Sequence, residues 1–383
     1  MYDLIIYDTS NFENFPIGGQ ITSIRNFLKY IANEEEEFCK RVLLVGVSTT
    51  QSRIGEIQKI EIDDVEFDFL PMMYRSDDLS NVKKSLRVEF LKALIRGRKM
   101  IPSNKQTVHY IHTPEAFIEV KVFHPFAKTV VFSHGSFFNM ISGFRFYKNN
   151  KIIHYLFNKF LVFLLKKSDL IFTLDKISTE QYMKYTKKVM HVNNSIVLPD
   201  EQMMRKKCHL PVRLLFVGRL SKVKRVDEII KAMELLNERA ILTIVGDGEE
   251  YENLEKLIKT NALEDRVKLK GVVPPSEIGN YMKNSDVLIM NSSFEGKPMT
   301  ILEAMSYGLP VITTPVGGIP EMVEKNKNAE YTDGTSKEIC EAVFKIAKKY
   351  EEYEKNALLN SKKFDYKVVN KQIFSAIYNE IKK

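Results

Sequence analysis

Short apolar strands alternate with helical patterns along the whole chain, and this alternation restricts the possible fold more than any other feature. In the first half, strands are predicted at Leu4–Tyr7, Val42–Val47, Val65–Leu70, Val108–His112, Val130–Ser133 and Leu170–Thr173. In the second half, they are predicted at Leu214–Val217, Ile241–Val245, Val267–Leu269, Val287–Met290 and Val311–Thr313. Strands separated by helices are typical of parallel sheets. The sequence therefore predicts an α/β protein with doubly wound parallel sheets.

The two series of strands predict two Rossmann-like domains that face each other across a cleft. The polar, aperiodic stretch 199–209 is the expected linker between an N-terminal domain at 1–198 and a C-terminal domain at 210–365. A long helix is expected at Ser336–Lys362 and a last helix at Tyr366–Ile381. The segment 366–383 is expected to pack near or on the N-terminal domain. Ligands of such sheets bind outside the carboxyl ends of the strands, so we expect the site in the cleft.

Composition excludes several classes of protein. The chain has 383 residues, 44% of them hydrophobic and 28% charged, which suits packed domains rather than disordered or fibrous chains. Its three cysteines lie far apart, without the spacing of a disulfide framework or a zinc site. The first residues carry no leader pattern, and no apolar run reaches the length of a membrane span. A cytoplasmic protein is expected.

Positive charge is concentrated in the region 121–188. Twelve Lys or Arg residues stand there against three acidic residues, a local net charge of +9 compared with +8 for the whole chain. Within it, Ile152–Leu165 is mostly apolar and is followed by Lys166 and Lys167. Such a segment can lie on an anionic bilayer surface or pack as a core helix, and both readings stay open. No motif for nucleic-acid recognition accompanies the charge, so no nucleic acid is expected as a partner.

The segment Asn291–Met305 holds the strongest chemical signal. A strand precedes it, Gly296 and Pro298 mark a turn, and a helix is expected to open at Pro298. Free amides and the positive end of the helix dipole at Gly296–Thr300 would suit a pyrophosphate. Glu295 stands before this helix and Glu303 about one and a half turns inside it, so both carboxylates can face one pocket. They would accept hydrogen bonds from sugar hydroxyls.

The pattern E-G-x-P-x-x-x-x-E-A-M at Glu295–Met305 resembles the signature of retaining glycosyltransferase family 4, the glycosyl transferases group 1, which has the GT-B fold. Other segments resemble motifs of that family in the same order. They are Gly218-Arg219-Leu220 with Lys224, Val245–Gly248, Gly271–Pro274 and Gly317–Glu321. The first half matches more loosely, through Gly18-Gly19, His134-Gly135 and Asn193–Ile196.

The resemblance implies a role for each matched residue. Arg219 and Lys224 would stabilise the negative charge of a departing diphosphate, so no metal or other cofactor would be needed. Glu303 would hold ribose hydroxyls, Glu295 hydroxyls of the transferred sugar, and His134 would lie beside the acceptor or the sugar. Residues expected to line the donor site are Gly18, Gly19, Gly218, Gly296, Lys297, Pro298, Met299 and Thr300, with Val272 and Val273 beside the base.

Three residues depart from the family pattern. Arg225 follows the lysine where the family often has glycine, and Asn291 stands where proline is frequent. Lys297 replaces a commonly apolar residue and could point at donor phosphates or into solvent. His112, outside these motifs, is interpreted as a structural histidine at the end of its strand.

The predicted function is transfer of a sugar from a UDP- or GDP-sugar to a saccharide or lipid-linked acceptor, in building a surface polysaccharide or glycolipid. Contact with the inner face of the cell membrane is expected through the region 121–188. Retention is expected through attack on the face that the phosphate leaves, although a double displacement would also retain configuration. A non-catalytic subunit that binds nucleotide sugars is the alternative. A nicotinamide dehydrogenase is disfavoured because Asp8-Thr9-Ser10-Asn11 follows the first strand instead of a G-x-G-x-x-G turn.

Overall fold

The computed structural model describes residues 1–13, 18–51, 53–75, 85–134, 151–200, 208 and 210–383, with the backbone alone at 151, 153 and 154. The chain forms two compact units. The first comprises Met1–Asn193 together with Tyr366–Lys383, and the second comprises Asn194–Asp365. Most of the predicted linker 199–209, and Gly135, lie outside the described residues.

Each unit is built on one sheet. The first sheet has the order β3-β4-β2-β1-β5-β6-β7-β8, and the second has the order β11-β10-β9-β12-β13-β14. All neighbouring strands are parallel except β3 and β4. The strands are β1 (Leu4–Asn11), β2 (Val42–Ser48), β3 (Gln58–Ile62), β4 (Val65–Tyr74), β5 (Val108–Ile111), β6 (Lys128–Ser133), β7 (Leu170–Thr173), β8 (Val189–His191), β9 (Val212–Val217), β10 (Ala240–Val245), β11 (Val267–Leu269), β12 (Val287–Met290), β13 (Val311–Thr313) and β14 (Ala329–Tyr331).

Helices connect most of these strands. In the first unit they are α1 (Gly19–Glu34), α2 (Glu36–Cys39), α3 (Leu86–Gly97), α4 (Pro114–Phe123), α5 (Lys151–Leu165) and α6 (Lys176–Met183). In the second unit they are α7 (Val226–Leu236), α8 (Tyr251–Thr260), α9 (Pro275–Lys283), α10 (Met299–Ser306), α11 (Ser336–Lys348) and α12 (Tyr350–Ser361). The last helix, α13 (Tyr366–Lys382), belongs to the first unit. Within the described ranges, no helix combines the length and the apolar character needed to cross a bilayer.

Both faces of the first sheet are buried. Along β1, Leu4 and Ile6 enter one apolar cluster, while Ile5 and Tyr7 enter another on the opposite face. This alternation follows from the two-residue period of a strand. The cluster around Leu4 also contains residues of α13, where the Phe374 ring packs edge-to-face on Phe38 at 5.1 Å. The second sheet is likewise covered on both faces.

All eleven predicted strands are present. The prediction of two α/β parallel sheets is confirmed, whereas three strands, β3, β8 and β14, were not predicted. The strand β3 is largely polar and lies at a sheet edge. The strands β8 and β14 have three residues each, too few to show the two-residue alternation of a strand. The prediction of a single helix at Ser336–Lys362 is wrong, because the segment forms two helices. It is divided at Lys349, whose backbone (φ −127°, ψ 31°) ends α11 before α12 begins.

Candidate functional site

The second sheet has the strand order of a Rossmann fold, with its switch point between β9 and β12. The chain leaves β9 in one direction and β12 in the other, so a crevice opens outside their carboxyl ends. Gly218, Arg219 and Lys224 follow β9, and Glu295 follows β12. The strand order therefore brings the carboxylate motif and the cation motif of the sequence to one edge of one sheet.

Lys224 and Glu295 form an ion pair at this edge. The Lys224 ammonium donates a hydrogen bond to Oε1 of Glu295, and the two side chains are 19% and 12% exposed. The Ser292 hydroxyl donates to the same oxygen at 2.7 Å. Lys224 and the fully buried Ser292 thus hold the same oxygen of the Glu295 carboxylate.

The amino end of α10 lies beside this pair in sequence. The helix begins at Met299, one residue later than predicted, and Pro298 is its N-cap without a side-chain hydrogen bond to the first turn. The first amides of such a helix, at Met299 and Thr300, are a ready anion site. Glu303 lies further inside α10, and burial raises the pKa of its carboxyl above the ordinary value. Among the described residues, none donates a hydrogen bond to this carboxylate.

The turn at Gly317–Gly318 packs against the turn at Glu295–Gly296. Gly317 has φ +56°, and a Cβ there would lie 1.7 Å from the carbonyl oxygen of Glu295. The amide of Gly318 donates to the carbonyl of Gly296 at 2.9 Å. The backbone at Glu295–Gly296 is thus supported by the loop after β13. At Gly296 itself a Cβ would meet nothing within 4 Å, so the fold does not require a glycine at that position.

Lys297 does not point into solvent, one of the two directions predicted for it. Its ammonium pairs with the Glu321 carboxylate at 2.9 Å, and its side chain is only 2% exposed. The Asn194 side-chain amide donates to the Lys297 carbonyl at 3.0 Å. Lys297 therefore ties the carboxylate motif to the Gly317–Glu321 segment, and contact with donor phosphates stays a prediction.

Arg219 points into solvent. Its guanidinium, 76% exposed, contacts Glu249 at 3.2 Å and is not in contact with Lys224 or Glu295. Gly218 directly follows β9, and the loop after β11 presents Val272, 72% exposed, next to the half-buried Val273. These residues follow β9 and β11, so they lie at the same sheet edge as Glu295.

In the first unit, His112 and His134 form a pair that the sequence did not predict. Nδ1 of His112 lies 2.8 Å from Nε2 of His134, and the Phe132 ring stacks on His134 with a centroid distance of 4.4 Å. The two histidines follow β5 and β6, which are neighbouring parallel strands. Two histidines directly after adjacent strands are a signal that could have predicted this contact.

Burial controls the charge of both rings. It lowers the pKa of His134 to about 3, and it lowers the pKa of His112 well below its ordinary value, with a further contribution from the charge of His134. Both imidazoles are therefore neutral at pH 7, so one ring donates and the other accepts the shared hydrogen bond. His134 can hold a hydroxyl by hydrogen bonding but offers no positive charge.

Gly18 and Gly19 begin α1 in the first unit. Gly18 is extended (φ 170°), and a Cβ there would meet only Cγ2 of Ile21, at an ordinary 3.8 Å. Within the described residues, neither backbone strain nor packing requires a glycine at this position. The prediction that a ligand approaches the backbone here remains a prediction.

In the ranges that the structure describes, no cluster of three or more His, Cys, Asp or Glu side chains has the arrangement of a metal site. At the carboxylate motif, Lys224 pairs with Glu295 and Lys297 pairs with Glu321.

Comparison with known proteins agrees with this geometry. Residues 206–363 match the family described as Glycosyl transferases group 1. The amylovoran biosynthesis glycosyltransferase AmsK of Erwinia amylovora is 36% identical over 132 residues, 32% of this chain and 32% of that protein. The lipopolysaccharide 1,6-galactosyltransferase of Salmonella typhimurium is 35% identical over 130 residues, 32% of this chain and 36% of that protein. The aligned part thus spans about a third of these relatives.

Solved structures cover nearly the whole chain. Anabaena HepE in complex with UDP-glucose has a TM-score of 0.67 and 17% identity, covering 98% of this chain and 99% of that one. Sucrose-phosphate synthase of Thermosynechococcus elongatus has a TM-score of 0.72 and 14% identity, covering 98% of both chains. The chain therefore has the GT-B fold of two parallel-sheet α/β units, and its second unit carries a region that matches glycosyl transferases group 1.

Proposed function

We propose that this protein is a glycosyltransferase that moves a sugar from a nucleotide-diphosphate sugar to a saccharide or lipid-linked acceptor. One observation carries the proposal. The Lys224–Glu295 ion pair, the amino end of α10 and the Glu303 carboxylate, to which no described residue donates a hydrogen bond, all belong to the region that matches glycosyl transferases group 1. The relatives named for amylovoran and lipopolysaccharide synthesis favour a role in building a surface polysaccharide or glycolipid.

The proposed chemistry is stabilisation of the leaving diphosphate. Its negative charge grows in the transition state, so a preorganised cation and helix amides stabilise the transition state more than the ground state. Lys224 is fixed by Glu295 and stands ready for this role, while the exposed Arg219 would exchange Glu249 for phosphate oxygens. Glu295 would then accept hydrogen bonds from hydroxyls of the sugar. The fixed ammonium of Lys224 supports a reaction that needs no metal ion.

Donor recognition is assigned to groups around the same edge. The Glu303 carboxylate, inside α10 and without a hydrogen-bond donor among the described residues, would accept from the two ribose hydroxyls. Its raised pKa reflects desolvation that such hydroxyls would relieve. Val272 and Val273 would contact the base, and UDP is the nucleotide to test first because the structural neighbour HepE was solved with UDP-glucose.

We propose retention of the anomeric configuration, by attack on the face that the phosphate leaves. The side chain best placed for the competing double displacement is Glu295, but its carboxylate already accepts from Lys224 and Ser292, which lowers its nucleophilicity. Proton NMR of the product formed from an α-linked donor distinguishes retention from inversion. Turnover in excess EDTA tests the metal independence, and activity that returned only with added Mg²⁺ or Mn²⁺ would contradict it.

The decisive experiment incubates the protein with UDP-, GDP- and ADP-sugars and measures nucleotide diphosphate release and thermal shift. One donor should stabilise the native chain and be hydrolysed slowly. Lys224→Met and Glu303→Gln should lower the rate by about 10²- to 10³-fold, as expected for removal of one preorganised group. Matched controls are Lys231→Met, whose ammonium pairs with Asp227 and Glu228, and Glu324→Gln, a surface carboxylate. A donor that binds without any release of nucleotide diphosphate would favour the non-catalytic subunit that binds nucleotide sugars, and an absence of binding by every donor would contradict both explanations.

We propose further that α5 contacts an anionic membrane surface at the inner face of the cell membrane. Its exposed side follows helical spacing, with Ile152, Tyr155, Leu156 and Phe163 each more than half exposed. Lysine ammonium groups cap two of these rings, Lys159 over Tyr155 at 4.6 Å and Lys167 over Phe163 at 4.3 Å. The other side of α5 is buried through Leu161, Leu164 and Leu165. The helix is thus a core helix on one face and has an interfacial pattern on the other.

The membrane contact would place the enzyme where a lipid-linked acceptor is found. Co-sedimentation with phosphatidylglycerol vesicles should exceed that with phosphatidylcholine vesicles and fall with added salt. Leu156→Ser should weaken vesicle binding roughly 10-fold, from the loss of one leucine's transfer free energy. Leu359→Ser is the matched control, because Leu359 on α12 is 52% exposed and Leu156 is 60% exposed. Equal effects of the two variants, or equal binding to both lipids, would refute the contact.

A further inference from the structure

The side chain of Arg225 crosses from the turn after β9 to the end of β12. Its Nε donates to the carbonyl of Asn291 at 2.9 Å, and Nη1 donates to the carbonyl of Asp333 at 3.4 Å. In return, the side-chain amide of Asn291 donates to the carbonyl of Arg225 at 3.2 Å and to that of Gly334 at 3.0 Å. Because carbonyl oxygens only accept, these contacts fix which end of the Asn291 amide is the nitrogen. We refer to Arg225, Asn291 and Gly334 as the lock.

The backbone around the lock is shaped to fit it. A Cβ on Gly334, which has φ +92°, would lie 2.2 Å from Nη2 of Arg225. Arg225 itself is left-handed, with φ 46° and ψ 45°, a conformation that costs a non-glycine residue free energy. Asn291 is 1% exposed. The backbone of Arg225 is strained, and only a glycine at position 334 leaves room for its side chain. We infer that the side-chain contacts of Arg225 outweigh the cost of the strain.

The lock brackets the ion pair of the site. Lys224 directly precedes Arg225, and Glu295 lies four residues after Asn291. On the other side of Lys224, the carbonyl of Val223 accepts from the amide of Ser293 at 2.8 Å and from its hydroxyl at 3.2 Å. The turn that carries Lys224 is therefore fastened to the segment that carries Glu295 both before and after the lysine.

We propose that Arg225 and Asn291 are positioning residues that keep the Lys224 ammonium in its ion pair with Glu295. The inference rests on the proposed function, because it assigns the lock a role in that reaction. Arg225 acts here through its planar fork on backbone carbonyls and not as a cation for the donor phosphates. Two of the three positions that depart from the pattern of the family that the sequence resembles, Arg225 and Asn291, thereby become one structural unit.

The test compares Arg225→Lys, Arg225→Gly, Asn291→Ala and the double variant Arg225→Gly/Asn291→Ala. Arg225→Gly removes the fork and relieves the left-handed strain, while Arg225→Lys keeps the charge without the fork. Both should lower kcat by about 10- to 100-fold, as for a small misplacement of a catalytic group, and change the KM for the donor much less. The double variant should be slower than Arg225→Gly, because the two side chains donate to different backbone carbonyls and neither single substitution removes the hydrogen bonds of the other residue.

The matched control is Arg266→Lys. Arg266 also donates to a backbone carbonyl, that of Met233 at 2.8 Å, but at the amino end of β11 and away from the site. It should leave kcat unchanged. Full activity in Arg225→Lys with loss only in Arg225→Gly would overturn the lock, since charge alone would then suffice.

A second readout separates this inference from the proposed function. The Ser293 amide donates a hydrogen bond to the Val223 carbonyl. Hydrogen exchange at this amide should become faster in Arg225→Gly, whether or not a nucleotide sugar is present. Unchanged exchange in an otherwise active protein would overturn the lock alone. A native chain without turnover of any donor would overturn the proposed function, and with it the role assigned to Arg225 and Asn291.

Discussion

The imidazole of His134 shows at the scale of one residue how burial sets a charge state. It lies between His112, 2.8 Å away, and the Phe132 ring, and burial lowers its pKa to about 3. In an unfolded chain the same group has a pKa of about 6.5. The unfolded state therefore takes up a proton at His134 as the pH falls through 6.5, whereas the folded state stays neutral until near pH 3.

The stability contributed by His134 is accordingly complete above about pH 6.5 and is lost as the pH falls from there towards 3. His134→Gln, which does not titrate, should reduce the loss of unfolding free energy between pH 7 and pH 5 by about 2 kcal/mol. Urea unfolding of both proteins at the two pH values measures it. The difference between the proteins is the informative quantity, because burial raises the pKa of Glu119 to about 7 and gives the native chain an opposing pH dependence. Equal slopes for both proteins would contradict a neutral His134.

Individual site residues could be predicted where the spacing along the chain carries the signal. Glu295 and Glu303 stand eight positions apart around a helix start, and Lys224 follows a strand in a turn, so the sequence alone singles them out. The contacts of Lys297 with Glu321 and of Ser292 with Glu295 could not be predicted in this way. A lysine or serine side chain reaches in several directions, and only the packed loop decides between them.

At the scale of elements, the turn at Gly317–Gly318 supports the backbone of Glu295 and Gly296 in the candidate site. Gly317→Ala should lower stability by more than about 2 kcal/mol, because its Cβ would overlap the Glu295 carbonyl oxygen at 1.7 Å and φ is +56°. Gly296→Ala is the comparison, since a Cβ there meets nothing within 4 Å. It should leave the unfolding temperature nearly unchanged but weaken donor binding. Thermal unfolding with and without donor measures both effects, and an equally destabilised Gly296→Ala would refute the argument.

Elements with a strong period were predicted well, and those without one were not. The apolar runs of β2 and β12 leave no alternative to a buried strand, and both are buried along their whole length. β8 and β14 form by pairing with the neighbouring strands β7 and β13. A segment of three residues is too short for its own sequence to predict that pairing. The division of α11 from α12 at Lys349 was missed because neither a glycine nor a proline marks it.

At the scale of the whole molecule, the chain leaves the first unit at Asn193 and returns to it at Tyr366. The returning helix α13 is not a surface addition. Val369, Ile373, Phe374 and Ile377 are buried in the same cluster as Leu4 of β1, and the Asn33 amide donates to the Tyr366 hydroxyl at 3.0 Å. The stability of the first sheet therefore depends on residues that follow the entire second unit in sequence.

This dependence can be tested with the same substitution in each unit. Ile377 on α13 and Ile346 on α11 are both fully buried, the first in the cluster of the first sheet and the second in a cluster of the second sheet. Ile377→Ala and Ile346→Ala should each cost about 2–5 kcal/mol, the usual cost of a buried cavity. Hydrogen exchange should then rise in β1 and β2 for Ile377→Ala, and in β9 and β10 for Ile346→Ala. If Ile377→Ala instead released the strands next to its sequence position, β13 and β14, the last helix would belong energetically to the second unit, contrary to its packing.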